Sequence, residues 1–332
     1  MMDKRTRIET VLAGRRPDRP PVSFWHHFPE SQRAGQPAAD AHLRFLDRYD
    51  VDFLKVMNDH LFPRGDVPIV AGVADLKKIV PQPSDAGELA GQLDVIAKLA
   101  TAVGRDLPLC TTVFGPWSTL RQWTRPPSTR HGPPSLDVSD DRDEMLARLL
   151  AEDRAAVGGA LETIATTLAD FARACVAAGA DGIFLSVRDD WVDTPANGPE
   201  TYAQLVRPAD LLLLDAVREA SFNILHICGR PQDFRGLADY PVHVLNWADR
   251  AAGPSLAFAR DRVRPALAGG VDNLDTLPNK KPGDVAAEVR DAVRQAGERP
   301  ILITPGCTFD PVTVPPANLD AMIEAVGTAY AT

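Results

Sequence analysis

Short apolar, β-rich runs alternate with longer helix-period stretches along almost the whole chain, and this alternation limits the fold more than any other feature of the sequence. The β-like runs are 21–25, 52–57, 107–114, 182–187, 222–228, 242–247, 266–271 and 300–304. Amphipathic stretches lie between them, among them 144–178, 208–220, 282–296 and 318–330. Such alternation signals a parallel sheet built from βα units. Eight units in 332 residues predict an α/β fold of the (β/α)8 TIM-barrel type, with the active site at the C-terminal ends of the strands. An open doubly wound sheet would normally carry a glycine-rich phosphate turn, and neither G-x-G-x-x-G nor G-x-x-x-x-G-K-[ST] occurs. Helix starts are expected at Ser139-Asp140 and Asn318, and a stop at Gly179.

No linker marks a second unit, so residues 1–332 read as one domain. The one biased segment is 125–138, where Pro126, Pro127, Pro133 and Pro134 surround His131-Gly132. It reads as a long loop after the third strand and a candidate lid. A formal net charge of −9 without a dense basic run argues against nucleic acid or an anionic membrane as partner. No apolar run approaches the 18 or so residues of a bilayer span, and the charged stretch Met1 to Arg16 does not resemble a signal peptide. Four cysteines in a chain this long are not a disulfide framework, so the expected compartment is the reducing cytoplasm.

The predicted strand ends are polar beyond what a barrel core needs. They read Trp25-His26-His27, Asn58-Asp59-His60, Gly115-Pro116-Trp117, Arg188-Asp189-Asp190-Trp191, His226-Ile227-Cys228-Gly229, Asn246-Trp247, Gly269-Gly270-Val271-Asp272 and Pro305-Gly306-Cys307. Together they predict an aromatic-walled polar pocket. The sharpest signal is His226-x-Cys228 with Cys307. Residues i and i+2 of a strand face the same way, so imidazole and thiol project together. One nitrogen and two sulfurs suit zinc, and three protein ligands leave a position open for a substrate. On the residues alone a second reading stands beside it, in which both thiols are packed and the histidine is a satisfied polar group.

Several motifs carry a resemblance to a known family: Arg16-Pro-Asp-Arg-Pro-Pro-Val22, Phe114-Gly-Pro-Trp117, His226-Ile-Cys-Gly229, Leu245-Asn-Trp247, Gly269-Gly-Val-Asp272 and Thr304-Pro-Gly-Cys307. With these the chain resembles the uroporphyrinogen decarboxylase superfamily over nearly its whole length. Within it the chain is most similar to the zinc-dependent corrinoid-to-coenzyme M methyltransferases. The resemblance implies a (β/α)8 barrel, one Zn2+ on His226, Cys228 and Cys307, a small thiol or thioether substrate, and a corrinoid on a partner protein as methyl donor. It also makes Asp59 the best acid/base candidate. His26 joins it as a candidate proton carrier, and a homodimer is the natural assembly to test. Trp25, His27, Trp117, Asp189, Asp190, Trp191, Asn246, Trp247 and Asp272 are the expected substrate-facing residues. The true decarboxylases differ: they carry two arginines just after strand 1, whereas residues 23–30 here contain none. Trp123 stands where they have a tyrosine, and Cys307 where they have a late histidine. A decarboxylase-like carboxy-lyase and a catalytically silent binding member of the superfamily are the alternatives.

Overall fold

The computed structural model of the chain describes residues 2–60, 62–127, 136, 141–190, 192–231 and 234–330. Seven strands, β1 (Leu54–Val56), β2 (Leu109–Phe114), β3 (Gly182–Val187), β4 (Ile224–Ile227), β5 (Val244–Trp247), β6 (Ala266–Val271) and β7 (Ile301–Pro305), lie side by side in chain order. Every neighbouring pair is parallel. A parallel sheet in chain order needs a crossover after each strand and is covered by helices, which is why its strands read as nearly unbroken apolar runs. Almost every residue of the seven is buried accordingly.

The expected first strand, 21–25, forms no ladder. Val22 makes an isolated parallel bridge to Ile303 of β7, and His26 makes another to Phe309. Backbone bonds nevertheless tie this segment to both edges of the sheet. Ser23 N–H donates to Ile303 O at 3.1 Å and Ile303 N–H to Pro21 O at 2.8 Å, while Asp52 N–H donates to Val22 O at 2.8 Å. The reason the ladder is short lies partly in Pro20 and Pro21, which have no N–H to give. The motif from Arg16 to Val22 acts as a clamp on this seam. Asp52, fully buried just before β1, takes 2.6 Å ion pairs from Arg7 and Arg19 and accepts the Val22 N–H at 2.7 Å. Asp18 pairs with Arg7 at 2.8 Å.

Three helical expectations need correction. The stretch 144–178 is two helices, Asp141–Glu152 and Arg154–Ala177, because the Asp153 side chain accepts the Ala156 N–H and starts the second afresh. The stretch 208–220 is the shorter helix Arg207–Asp215, led in by a π-turn, Tyr202–Val206. Asn318 does not cap the last helix, which begins at Pro316; its amide instead donates to Leu277 O and Lys280 O. Gly179 does end its helix, at φ +113°, where a Cβ would lie 2.5 Å from Ala100 Cβ. The cap at Ser139-Asp140 and most of segment 125–138 lie outside the described residues. Among the described residues no helix is long and apolar enough to cross a membrane.

Behind the ends of β2 and β3 sits a buried polar cluster. Asp210 is 1% exposed and its Oδ2 accepts the Tyr240 hydroxyl at 2.8 Å. The Tyr240 oxygen also meets that of Tyr202, and the Arg207 guanidinium lies 4.9 Å from the Tyr240 ring centre. Burial pushes the Asp210 carboxyl up to about 7, against the Tyr240 hydrogen bond and the Arg207 charge. The cluster packs closely against the turn after β2: the Asp210 Oδ1 lies 3.1 Å from where a Cβ on Gly115 would sit.

A candidate metal centre at the strand ends

His226 is the third residue of β4, where it pairs in register with Ser186 of β3 and Asn246 of β5. Its ring stacks on Phe184 of β3, with centroids 5.3 Å apart and planes at 26°. Cys228 follows the strand and is still held to β3 by its N–H to Val187 O at 2.8 Å. Cys307 follows β7. The structure brings the three together: the ligand atoms of His226, Cys228 and Cys307 all lie within 4.8 Å of one another. The imidazole is 3% exposed and the two cysteines are half-buried, so the cluster is rooted in the core at the strand ends.

The hydrogen bonds of Asn246 fix the imidazole tautomer. Its Nδ2 donates to Ala268 O, Thr304 Oγ1 and Pro305 O at 3.0–3.2 Å, so its Oδ1 is the atom facing His226. The His226 Nδ1–H therefore donates to Asn246 Oδ1 at 2.6 Å, which leaves the lone pair on Nε2. That Nε2 is buried without a hydrogen-bond partner. A buried nitrogen lone pair beside two thiols is costly unless something occupies it. An N,S,S donor set of this kind matches a zinc ion with an open position. The Cys228–Cys307 hydrogen bond and burial together raise the Cys228 thiol well above its usual range, whereas the same bond holds Cys307 well below its own, against the burial that pushes Cys307 up.

Arg188 and Asp190 stand behind Cys228. Two hydrogen bonds of 2.6 Å join them, and Asp190 Oδ2 accepts the Arg230 N–H at 3.2 Å. The chain passes this pair at Gly229, at φ +78°, where a Cβ would fall 2.2 Å from Asp190 Oδ2. Only glycine allows both the turn and the approach.

The other expected residues divide by what their side chains already do. Asp59, at the end of β1, accepts His27 Nδ1–H at 2.6 Å and lies 3.5 Å from Arg33 Nε. Arg33 thus reaches the strand-1 region from just beyond the arginine-free stretch 23–30. The His26 ring packs against Phe28, Phe45 and Phe309, and its burial lowers its pKa. Asn246 is spent on His226 and the backbone, so it positions the cluster rather than facing a substrate. Trp247 is fully buried, packs on Phe234 and donates its indole N–H to Pro254 O, so it is core and not pocket wall. The Asp272 Oδ1 is spent on the N–H groups of Leu274 and Asp275. Trp25 and Trp117 are buried, Trp25 against Phe184, and Asp189 is buried beside the cluster's β3 loop. Trp191 lies outside the described residues.

Sequence reasoning passed over Lys55. It is the middle residue of β1, 5% exposed, with its Nζ 4.3 Å from the Phe184 ring centre and 5.2 Å from that of Trp25. A lysine inside the apolar run Phe53-Leu-Lys-Val-Met57 was the available signal.

Comparison with known proteins adds the ancestry of this arrangement. The family described as uroporphyrinogen decarboxylase (URO-D) matches residues 3–329. The chain belongs to that family. Two curated relatives are each 26% identical over 258 residues, 77% of this chain and 68% of theirs. Both are named methylcobamide:CoM methyltransferase MtbA, one from Methanosarcina acetivorans and one from Methanosarcina mazei. A solved structure titled methyltransferase from Methanosarcina mazei superposes with a TM-score of 0.78 at 19% identity, covering 99% of this chain and 100% of that one. Within the uroporphyrinogen decarboxylase family the resemblance is to the methyltransferase branch.

Proposed function

We propose that this protein is a zinc-dependent methyltransferase that activates a small thiol, with a corrinoid protein as the family-typical methyl donor. The observation that carries the reading is the convergence of an unpartnered, buried His226 Nε2 with the thiols of Cys228 and Cys307. These three would hold the ion. When bound, zinc supplies Lewis acidity that keeps a substrate sulfur in its nucleophilic thiolate form. The chain's own residues do the rest. Asn246 holds the imidazole so that Nε2 points into the cluster, and Phe184 sets its ring plane. The Arg188–Asp190 pair fixes the Cys228 turn. Asp59 orients the His27 ring through Nδ1. The same reading makes residues 1–332 one (β/α)8 barrel domain, with 21–25 as its short first strand, working in the cytoplasm. Similarity to two enzymes named as methylcobamide:CoM methyltransferases supports methyl transfer over the decarboxylase alternative.

The test is metal content. Purified protein is expected to carry close to one zinc per chain, with zinc–sulfur distances of about 2.3 Å and zinc–nitrogen distances of about 2.0–2.1 Å by X-ray absorption. Cys307→Ala is expected to lose most of the metal while folding normally. A wild type that takes up no zinc when supplied with it refutes the reading.

A further inference from the structure

Lys55 buries an ammonium group inside the sheet, and no described carboxylate forms an ion pair with it. Its Nζ contacts are the Met57 sulfur at 3.6 Å and the faces of Phe184 and Trp25. Among the described residues none places a carboxylate within ion-pairing distance of it. An unpaired buried cation is expensive, and cation–π contacts recover only part of the loss. Burial lowers the ammonium to about 8, with the thiols of Cys307 and Cys110, the Asp59 carboxylate and the Cys228 thiol acting to raise it. The charged form therefore still prevails at neutral pH.

The position of the charge indicates its use. Phe184 touches both partners: its ring centre is 4.3 Å from Lys55 Nζ and 5.3 Å from that of His226. The ammonium thus lies one aromatic ring away from the three-ligand cluster. A dication held by two thiolates and a neutral imidazole is close to neutral as a unit. A third sulfur entering as thiolate leaves the unit with one negative charge in a largely buried place. Nothing in the donor set offsets that charge, whereas Lys55 can.

We propose that Lys55 is the built-in counter-charge for a substrate thiolate taken up at His226, Cys228 and Cys307. The inference rests on the zinc–thiol reading above and extends it to a residue of the barrel interior. On uptake the substrate S–H bond breaks, the sulfur becomes a ligand, and the proton passes to the buffer. Lys55 keeps its own proton throughout and acts at a distance, as a positioning charge. Because it answers the charge on sulfur, its effect holds for thiols with a neutral tail as well as for acidic ones.

Calorimetric titration of the zinc-loaded full chain in two buffers of different ionisation enthalpy reads both the affinity and the protons released. Ethanethiol is the neutral-tailed probe and mercaptoacetate the acidic one. Lys55→Met and Lys55→Gln are expected to keep one zinc per chain, yet to bind ethanethiol at least tenfold more weakly, the ratio that opposite charges several ångströms apart produce in a protein interior. Lys55→Arg, which keeps the charge, is expected to stay within about threefold of wild type. Two neutral variants guard against one that fails to fold. Ethanethiol affinity within twofold of wild type in the neutral variants overturns the proposal, and if mercaptoacetate alone is weakened, Lys55 serves the substrate's tail instead. Loss of zinc from both neutral variants also overturns it, since the charge would then be holding the metal site. A wild type without zinc overturns this inference and the functional reading together, whereas the other failures leave that reading standing.

Discussion

Replacing Asp210 by Asn should remove a large part of the pH dependence of stability at mildly acidic to neutral pH. The carboxyl has an ordinary value of 3.8, which folding raises to about 7 by burying it completely. A raised folded pKa favours the protonated folded form. Its stabilising contribution is complete below about pH 4 and is lost as pH climbs through 7. The three-unit gap corresponds to about 4 kcal/mol in full, of which more than half is lost between pH 5 and pH 8. Asp249, raised to about 6 by its own burial, acts in the same direction, so wild type alone cannot isolate the effect. The difference between the two proteins can. Asn keeps an oxygen for the Tyr240 hydroxyl but does not titrate. Urea unfolding at pH 5 and pH 8 should show wild type losing about 2–3 kcal/mol more than Asp210→Asn across that interval. Parallel pH profiles for the two proteins would refute the argument and mean that Asp210 is charged in its buried place.

Two further substitutions probe how the cluster is held. Asn246→Ala leaves His226 Nδ1–H and two backbone oxygens without their partner; it should weaken zinc binding by about 10–100-fold in a chelator competition, with a smaller loss for Asn246→Asp, which keeps the acceptor. Gly229→Ala forces a side chain into positive φ and onto Asp190; it should cost about 1–3 kcal/mol in thermal unfolding and lower zinc occupancy, while Gly198→Ala, with open space at its Cβ, should keep full zinc.

The sheet was legible in the sequence because a parallel strand covered on both faces must be apolar throughout, and β3 and β6 fall where that pattern places them. The convergence of His226, Cys228 and Cys307 was legible for a related reason. The strand period of two fixes His226 and Cys228 on one side, and the end of β7 returns Cys307 to the same rim. What escaped was set by hydrogen-bond competition, to which periodicity is blind. Residues 21–25 have strand composition, but Pro20 and Pro21 at their start leave too few donors for a ladder. Asp153 sits inside an otherwise continuous helical pattern and wins the Ala156 N–H for itself. Asn246 looks like a substrate-facing polar group until its partners are counted, when both ends of its amide prove used close to home, and one carboxylate oxygen of Asp272 is likewise taken by its own turn. Lys55 escaped because a single charge in a core strand reads as a surface residue unless the burial of its neighbours is known.

The seam at Pro21 to Ser23 also bears on what happens when the protein begins to come apart. Elsewhere in the sheet each strand is covered along its length by a neighbour, but β1 and β7 are joined across only a few backbone bonds and the Ser23 hydroxyl, which donates to Phe53 O at 2.8 Å. If that segment peels away, both outer strands present unsatisfied N–H and C=O rows at once, and those rows are templates for another chain. The Arg7–Asp52–Arg19 clamp therefore guards against self-association as much as against unfolding. Under warming, the first oligomers should be stitched together through β1 and β7.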